Sequence, residues 1–230
     1  MEQVVILSVP FCFSGVEDKI HPVVLVDDAH MVLVDCGYTG SLPAFEHAFE
    51  KNGLSISQLT HVFITHHDHD HMGALAALKE RYPHVRVLAG EEEAPFVAGE
   101  RKSPRLQQAE ELQERLPEAQ KPFGEAFLSV LQNVLPVYVD ETVKDGQVFP
   151  WCGGCTAVAT PGHTPGHFSL YVNKTGDFIT GDAAALENGI PVVANPQFTL
   201  DFARAQASLQ KLLEFGAKRL ICYHGGVYVL

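Results

Sequence analysis

Residues 65–73 read Thr65-His66-His67-Asp68-His69-Asp70-His71-Met72-Gly73, and all six positions from His66 to His71 carry an imidazole or a carboxylate. No helix, strand or turn demands such a run. Val62-Phe63-Ile64 before it has the composition of a strand. After it, Met72, Leu75, Leu78 and Tyr82 recur at helical spacing with Pro83 as a stop, which predicts a helix over 72–82. The run is therefore a loop at the C-terminal end of a strand, where layered α/β proteins commonly hold ligands. Carboxylates and imidazoles gathered there repel like charges and are costly to desolvate, and a bound cation is the simplest compensation.

The same arrangement recurs along the chain. Asp35, Asp182 and His224 follow apolar strand-like segments, and His163 follows Thr156–Thr160 after only Pro161 and Gly162. Together with His66 these are five strand ends that can converge on one edge. A competing register stays open, because an extended loop would present His67, His69 and His71 on one side at period two. His21, His30, His47, His61 and His84 have no comparable context.

The rest of the chain is that of a layered α/β domain. Segments 4–9, 22–27 and 31–35 read as antiparallel strands, and Ser41 can cap a helix carrying Leu42, Phe45 and Phe49 on one face, closed by Gly53. Strands are expected at 85–90, 137–140, 156–160, 168–172, 177–180 and 219–223, with a helix through Phe202, Ala205, Leu209 and Leu212. Ser103 and Pro104 open a helix with Leu106, Ala109, Leu112 and Leu116, and a second carries Phe123, Phe127, Val130 and Val134. One domain over residues 1–230 with a helical insertion at 91–135 is the expected organisation. The insertion either walls a pocket or completes the core. Phe63-Ile64-Thr65 and Phe178-Ile179-Thr180 form a faint repeat.

Sixteen basic against 28 acidic residues give a net charge of −12, which argues against nucleic acid and anionic membranes as partners. Five cysteines, an odd number, do not form a secreted disulfide framework, and a reducing cytoplasm is expected. Glu2 and the early Pro10 do not suit a signal peptide, and no apolar run approaches the roughly 20 residues of a membrane span. Cys152-Gly153-Gly154-Cys155 reads as a two-residue hairpin turn between strands rather than a zinc or redox site. No phosphate loop, dinucleotide fingerprint or nucleophile elbow is present.

Taken together, the loop from His66 to His71, Pro161-Gly162-His163-Thr164-Pro165-Gly166-His167, Gly181-Asp182 and His224-Gly225-Gly226 closely resemble the metallo-β-lactamase fold superfamily, in its metal-dependent hydrolase branch. The resemblance implies an αββα sandwich with up to two metals at one edge. Its pattern His-x-His-x-Asp-His, anchored on Asp70 and His71, puts His66 first and Asp68 where the family has its second His. One site would hold His66, Asp68 and His163, the other Asp70, His71 and His224, with Asp182 bridging them. Asp35 and His167 would orient ligating histidines from behind. Zinc is the first expectation for two divalent ions, with iron or manganese as alternatives because Asp68 is a harder donor than imidazole.

The activity implied is attack by a metal-bound hydroxide, oriented by Asp70, on a small acyl ester, thioester or lactone. An iron-dependent oxidoreductase and a noncatalytic metal-binding module are the alternatives. The chain ends six residues after His224, which weighs against the glutathione-thioester glyoxalases of the family. A small-molecule substrate is the expected partner, oligomeric state is unassigned, and Tyr38, Tyr223 and Tyr228 are candidate oxyanion donors.

Overall fold

Strands rich in Val, Leu and Ile on both faces require a sheet covered on both sides. The computed structural model, which describes residues 2–13 and 15–230, meets this with two sheets face to face and helices on the outer surfaces. The chain runs through β1 (Gln3–Ile6), a hairpin of β2 (Val9–Phe13) and β3 (Val16–Ile20), β4 (Val23–Val26), β5 (Met31–Val34) and α1 (Leu42–Lys51). Then come β6 (His61–Ile64), the short α2 (His69–Met72), α3 (Leu75–Arg81) and β7 (Arg86–Gly90). Helices α4 (Ala94–Val97), α5 (Pro104–Arg115) and α6 (Lys121–Gln132) lead to β8 (Glu141–Val143). The second half comprises β9 (Val148–Phe149), β10 (Cys155–Ala159), β11 (Phe168–Val172), β12 (Asp177–Ile179) and a hairpin of β13 (Ala185–Glu187) and β14 (Ile190–Val192). It ends with α7 (Phe202–Glu214), β15 (Arg219–Cys222) and β16 (Gly226–Val229).

The sheets have the orders β1-β4-β5-β6-β7-β8 and β16-β15-β12-β11-β10-β9. The first is antiparallel as far as β5 and parallel from there to β8, whereas the second has one parallel pair, β12 and β15. Period-two alternation sorts the side chains. Val32, Val34 and Phe63 meet Leu170, Ile179 and Ile221 between the sheets. Leu33, Val62 and Ile64 pack with Phe45, Phe49, Leu75 and Leu78 from α1 and α3, and Val158, Phe178 and Leu220 pack with Leu212 of α7. This is the expected αββα sandwich.

Several local expectations change. Residues 137–140 do not pair as a strand; the Asp140 carboxylate accepts the Val87 N–H at 2.8 Å while its own N–H donates to the Val87 carbonyl, so a side chain takes one rung of the ladder before β8 begins. Ser41 opens α1, but its hydroxyl donates to the Tyr38 carbonyl at 2.7 Å instead of capping. Cys152 and Cys155 flank no two-residue turn. Trp151–Gly153 form a 3₁₀ turn, and Cys152, Gly153 and Gly154 all have positive φ, because the Cys152 N–H is drawn to the Asp27 carboxylate at 2.9 Å. In the repeated triplets, Phe63 points between the sheets and Phe178 toward α7, so the two are not equivalent. Among residues of α5 and α6, only Arg105 and Leu131 are buried, so these helices wall a space and do not complete the core. No helix among the described residues is long and apolar enough to cross a membrane.

The parallel pair β12–β15 carries its own lock. Asp177 lies in register with Arg219, whose Nε and Nη2 donate to its two carboxylate oxygens at 2.7 and 2.8 Å. Burial alone would raise the Asp177 pKa, but the guanidinium outweighs it and holds the carboxyl below its ordinary 3.8. The ion pair therefore stabilises the fold fully above the unfolded-state value, and that contribution is lost as pH falls through the depressed folded value. Asp177→Asn is expected to lose about 1–2 kcal/mol at neutral pH, a figure discounted for the partial exposure of Arg219. Urea denaturation across an acid series should show the deficit shrinking toward zero.

Candidate metal centre

The strand ends deliver their polar residues to one edge. His66 lies just beyond β6, and Asp68 sits at the N-terminus of α2, which places Asp70 and His71 in that helix. His163 occupies the loop between β10 and β11, Asp182 a 3₁₀ turn after β12, and His224 the turn between β15 and β16. Gly162 has a φ of 136°, and a Cβ there would lie 2.1 Å from the Ala205 nitrogen, so glycine lets α7 press directly on the His163 loop. Gly181, with φ 52°, lies against His167 and Thr65, where a Cβ would come within 2.7 Å of the His167 Nε2.

Asp182 is at the centre. Its Oδ1 is 3.2 Å from His71 Nε2 and 3.5 Å from His224 Nε2, while its Oδ2 is 3.5 Å from His163 Nε2. Asp68 Oδ2 lies 3.1 Å from His163 Nε2 and 3.7 Å from His66 Nε2, and Asp70 Oδ2 lies 3.2 Å from His224 Nε2 and 3.8 Å from His71 Nε2. Three overlapping groups result: His66, Asp68 and His163; His66, His71 and Asp182; and Asp70, His71 and His224. The Nε2 atoms of His66, His71 and His224 and the Oδ1 atoms of Asp68 and Asp182 are buried without hydrogen-bond partners. Buried polar atoms are rarely left so, and these converge, which fits a nitrogen-and-oxygen donor set for divalent metal. The competing register does not form: His67 turns to Glu93, and His69 packs against Tyr38 and Phe127.

The back of the centre sets the imidazole tautomers. Asp35, held at φ 62°, accepts the Thr65 N–H at 2.9 Å on Oδ1 and, on Oδ2, the Thr65 hydroxyl and the His71 Nδ1–H, both at 2.8 Å. Thr65 Oγ1 is in turn 3.0 Å from His66 Nδ1, so both rings turn Nε2 toward the centre. His167 acts differently from expectation. It touches the backbone of Asp182, accepting the Asp182 N–H on Nε2 at 3.0 Å, while its Nδ1 lies 2.9 Å from the Thr160 hydroxyl. Burial and the neighbouring histidines push its pKa well down, which keeps Nε2 free to accept.

Protons and carboxylates balance one another in this cluster. Burial disfavours charge on His71 and His224, yet Asp182 and its neighbours outweigh that and raise both pKa values. Burial likewise opposes ionisation of Asp182, but His224, His71 and His163 hold its carboxyl well below the usual range. A divalent ion bound among them would shield the same carboxylates and would have to displace the imidazole protons.

Two contributors escaped the sequence reading, Glu93 and Arg105. Buried Glu93 accepts from the His67 N–H and ring, the Thr164 hydroxyl and the Gly166 N–H, tying the His-rich loop to the His163 loop. Arg105 donates from Nη2 to Asp68 Oδ2 at 2.9 Å. Tyr223 donates its hydroxyl to the Asp70 carbonyl at 2.7 Å, so that donor is already engaged. Nothing in the sequence marks Arg105 or Glu93 apart from ordinary surface charges; only burial does. In front of the metal edge lies a cavity of about 870 Å³, with Asp68, Asp70, His163, Asp182 and His224 at its floor and Tyr38, Leu112, Phe123, Phe127 and Phe198 in its walls. Tyr228 packs on the far face of the second sheet.

The family model described as the metallo-beta-lactamase superfamily matches residues 17–224. A Bacillus subtilis (strain 168) protein, YobT, is 26% identical over 180 residues, which cover 76% of this chain and 66% of that one. A probable metallo-hydrolase of the same organism, YflN, is 27% identical over 212 residues, 84% of this chain and 75% of that one. A hydroxyacylglutathione hydrolase of Synechococcus sp. (strain JA-2-3B'a(2-13)) is 27% identical over 138 residues, 60% of this chain and 39% of that one. The crystal structure of a metallo-beta-lactamase family protein from Thermus thermophilus has a TM-score of 0.77 at 23% identity, covering 98% of this chain and 74% of that one.

Asp35→Asn should tolerate the left-handed backbone, since Asn adopts it readily, while removing the charge behind His71. Metal affinity, read by competition with a chromophoric chelator, should fall about 10–100-fold. In the wild type the same assay should show affinity falling as pH is lowered, because protons retained by His71 and His224 compete with the ion.

Proposed function

The chain belongs to the metallo-beta-lactamase superfamily, and from that premise we propose that it is a metal-dependent hydrolase acting on the acyl carbonyl of a small ester, thioester or lactone. The observation that carries the reading is the set of unpartnered His66, His71, His224 and Asp182 atoms converging at one edge, where Asp182 and His224 line an apolar-walled cavity. The candidate donors for divalent metal are His66, Asp68 and His163 on one side and Asp70, His71 and His224 on the other, with Asp182 between them. Zinc comes first, with iron or manganese as alternatives. Bound there, a divalent ion supplies Lewis acidity and makes hydroxide available near neutral pH.

The chain's own groups do the rest. Asp70 faces the cavity with a carboxylate held ionised, and it orients the attacking water and holds its proton before the leaving group takes it. Tyr38 lines the cavity, and burial together with Asp70 and Asp182 pushes its phenol far up, so it remains a hydrogen-bond donor. Leu112, Phe123 and Phe127 of the two insertion helices offer the acyl part of the substrate an apolar wall.

Relatives named hydroxyacylglutathione hydrolase favour a thioester among the three carbonyl classes. The cavity favours an apolar acyl group over an anionic carrier, because among the described residues Arg105 is the single Arg or Lys in its lining and is bound to Asp68. A small-molecule substrate, with neither nucleic acid nor membrane as partner, suits the net charge of −12. Five unpaired cysteines, four of them buried, suit the cytoplasm.

Across a series of acyl esters and thioesters, kcat/KM should rise roughly threefold to fourfold per added methylene until the cavity is filled, as expected at about 0.8 kcal/mol per buried CH₂. Phe127→Ala should flatten that rise. Chelation should abolish turnover, and Asp70→Asn should lower kcat at least about 100-fold at full metal occupancy. An Asp70→Asn enzyme with unchanged turnover removes Asp70 from the reaction. Bound iron with oxygen uptake and no hydrolysis replaces the hydrolase reading with an oxidoreductase.

A further inference from the structure

Asp68 stands where the family resemblance places an imidazole, and it has a partner, Arg105, whose charge a neutral imidazole could not balance. Its Oδ2, 3.1 Å from His163 Nε2, also accepts from Arg105 Nη2 at 2.9 Å. Arg105 lies in the first turn of α5, where Ser103 caps the helix and accepts the Arg105 N–H at 3.2 Å. The residue is only 3% exposed. Its Nη1 donates to Gln108 Oε1 at 3.2 Å, and its Cζ sits 5.2 Å from the centre of the Phe198 ring. Asp68, Gln108 and Phe198 thus hold the guanidinium on separate sides. Guanidinium groups stay charged in proteins, so a permanent cation stands beside one half of the centre.

The charges then divide unevenly. Asp70 and Asp182 together present two negative charges beside His71 and His224, which match one divalent ion. Asp68 presents one, and Arg105 already matches it. Two divalent ions with a hydroxide between them would balance Asp68, Asp70 and Asp182 alone; Arg105 adds a buried positive charge beside Asp68, and the remaining buried carboxylate, Asp35, is bonded to Thr65 and His71 on the other half of the centre.

We propose that Arg105 is the resident cation of the half-site formed by His66, Asp68 and His163, so that the chain binds one divalent ion tightly, through Asp70, His71, His224 and Asp182, and resists a second. The pair Asp68–Arg105 is in this view a single exchange, a carboxylate and a guanidinium in place of an imidazole and a metal ion. Arg105 is a metal-selecting residue supplied by the insertion helix, which couples that helix to the composition of the centre. The proposal rests on the reading of the centre as a metal site.

The test is metal stoichiometry on the full chain. Zinc content after equilibrium dialysis, and cobalt(II) titration followed by ligand-field absorption, should give one tight equivalent in the wild type, with any second at least tenfold weaker. Arg105→Met keeps the apolar length against Phe198 and removes the charge; it should tighten the second equivalent at least tenfold and move zinc content toward two. Arg105→Lys keeps a charge and should remain at one. If circular dichroism shows the Met variant unfolded, Arg105→Gln, which keeps a donor for Asp68 without charge, takes its place with the same expected result. Two equivalents of similar affinity in the wild type, a charge-removing variant still at one, or a Lys variant at two, would each overturn the proposal while leaving the hydrolase reading intact. A wild type that binds neither metal overturns both.

Discussion

Four aspartates, Asp35, Asp68, Asp70 and Asp182, are buried at one edge of this protein, none more than 8% exposed, and everything around them answers the need to compensate their charge. An unpaired buried carboxylate costs several kcal/mol, so a cluster of four would not survive in a marginally stable fold without partners. Three kinds of partner are present. Imidazoles surround Asp182 and Asp70, hydrogen-bond donors surround Asp35, and a guanidinium meets Asp68. Partnerless nitrogens and oxygens still face one another at the middle, the arrangement a metal ion completes.

The sandwich exists in a form that can bear this charge because its parallel strand pairs end together. β5 and β6 end at Asp35 and His66, and β12 and β15 end at the segments carrying Asp182 and His224. Behind those ends, apolar side chains alternate between an inter-sheet core and two outer cores, which fixes strand register. A one-residue slip in β6 would turn His66 away and move Phe63 from the inter-sheet core to the layer beneath α1 and α3, so the packing of the two cores and the polar site enforce the same alignment. Glu93, bonded to both the His-rich loop and the His163 loop, extends this control to the segments that lie outside the sheets.

The helices between β7 and β8 take a different part. They bury little of their own surface, present Leu112, Phe123 and Phe127 to the cavity, and send Arg105 inward to Asp68. Fold alone does not choose a substrate within a superfamily of many chemistries. In this chain those helices shape the apolar wall of the cavity and supply, among the described residues, the one buried guanidinium beside the aspartates.

Much of this was legible along the chain, for a physical reason. Strand ends are local events: an apolar run followed by Asp35, His66, Asp182 or His224 can be read without knowing what it packs against, and so can a helix after the His-rich loop, expected over 72–82 and found at 75–81 with Met72 in the separate short helix before it. Period-two and helical spacing likewise report a buried face directly. Burial of a charged residue is not local. Arg105 and Glu93 look like any surface charge in their segments and acquire their roles only when α5 and the His163 loop close over Asp68 and His67. The choice between the two histidine registers was settled by the same closure, since Asp35 and Thr65 capture the rings of His71 and His66 while Glu93 draws His67 aside. Residue order determined which donors this protein has and where its strands stop; tertiary packing decided their partners, because electrostatic compensation depends on distances between segments far apart in the chain.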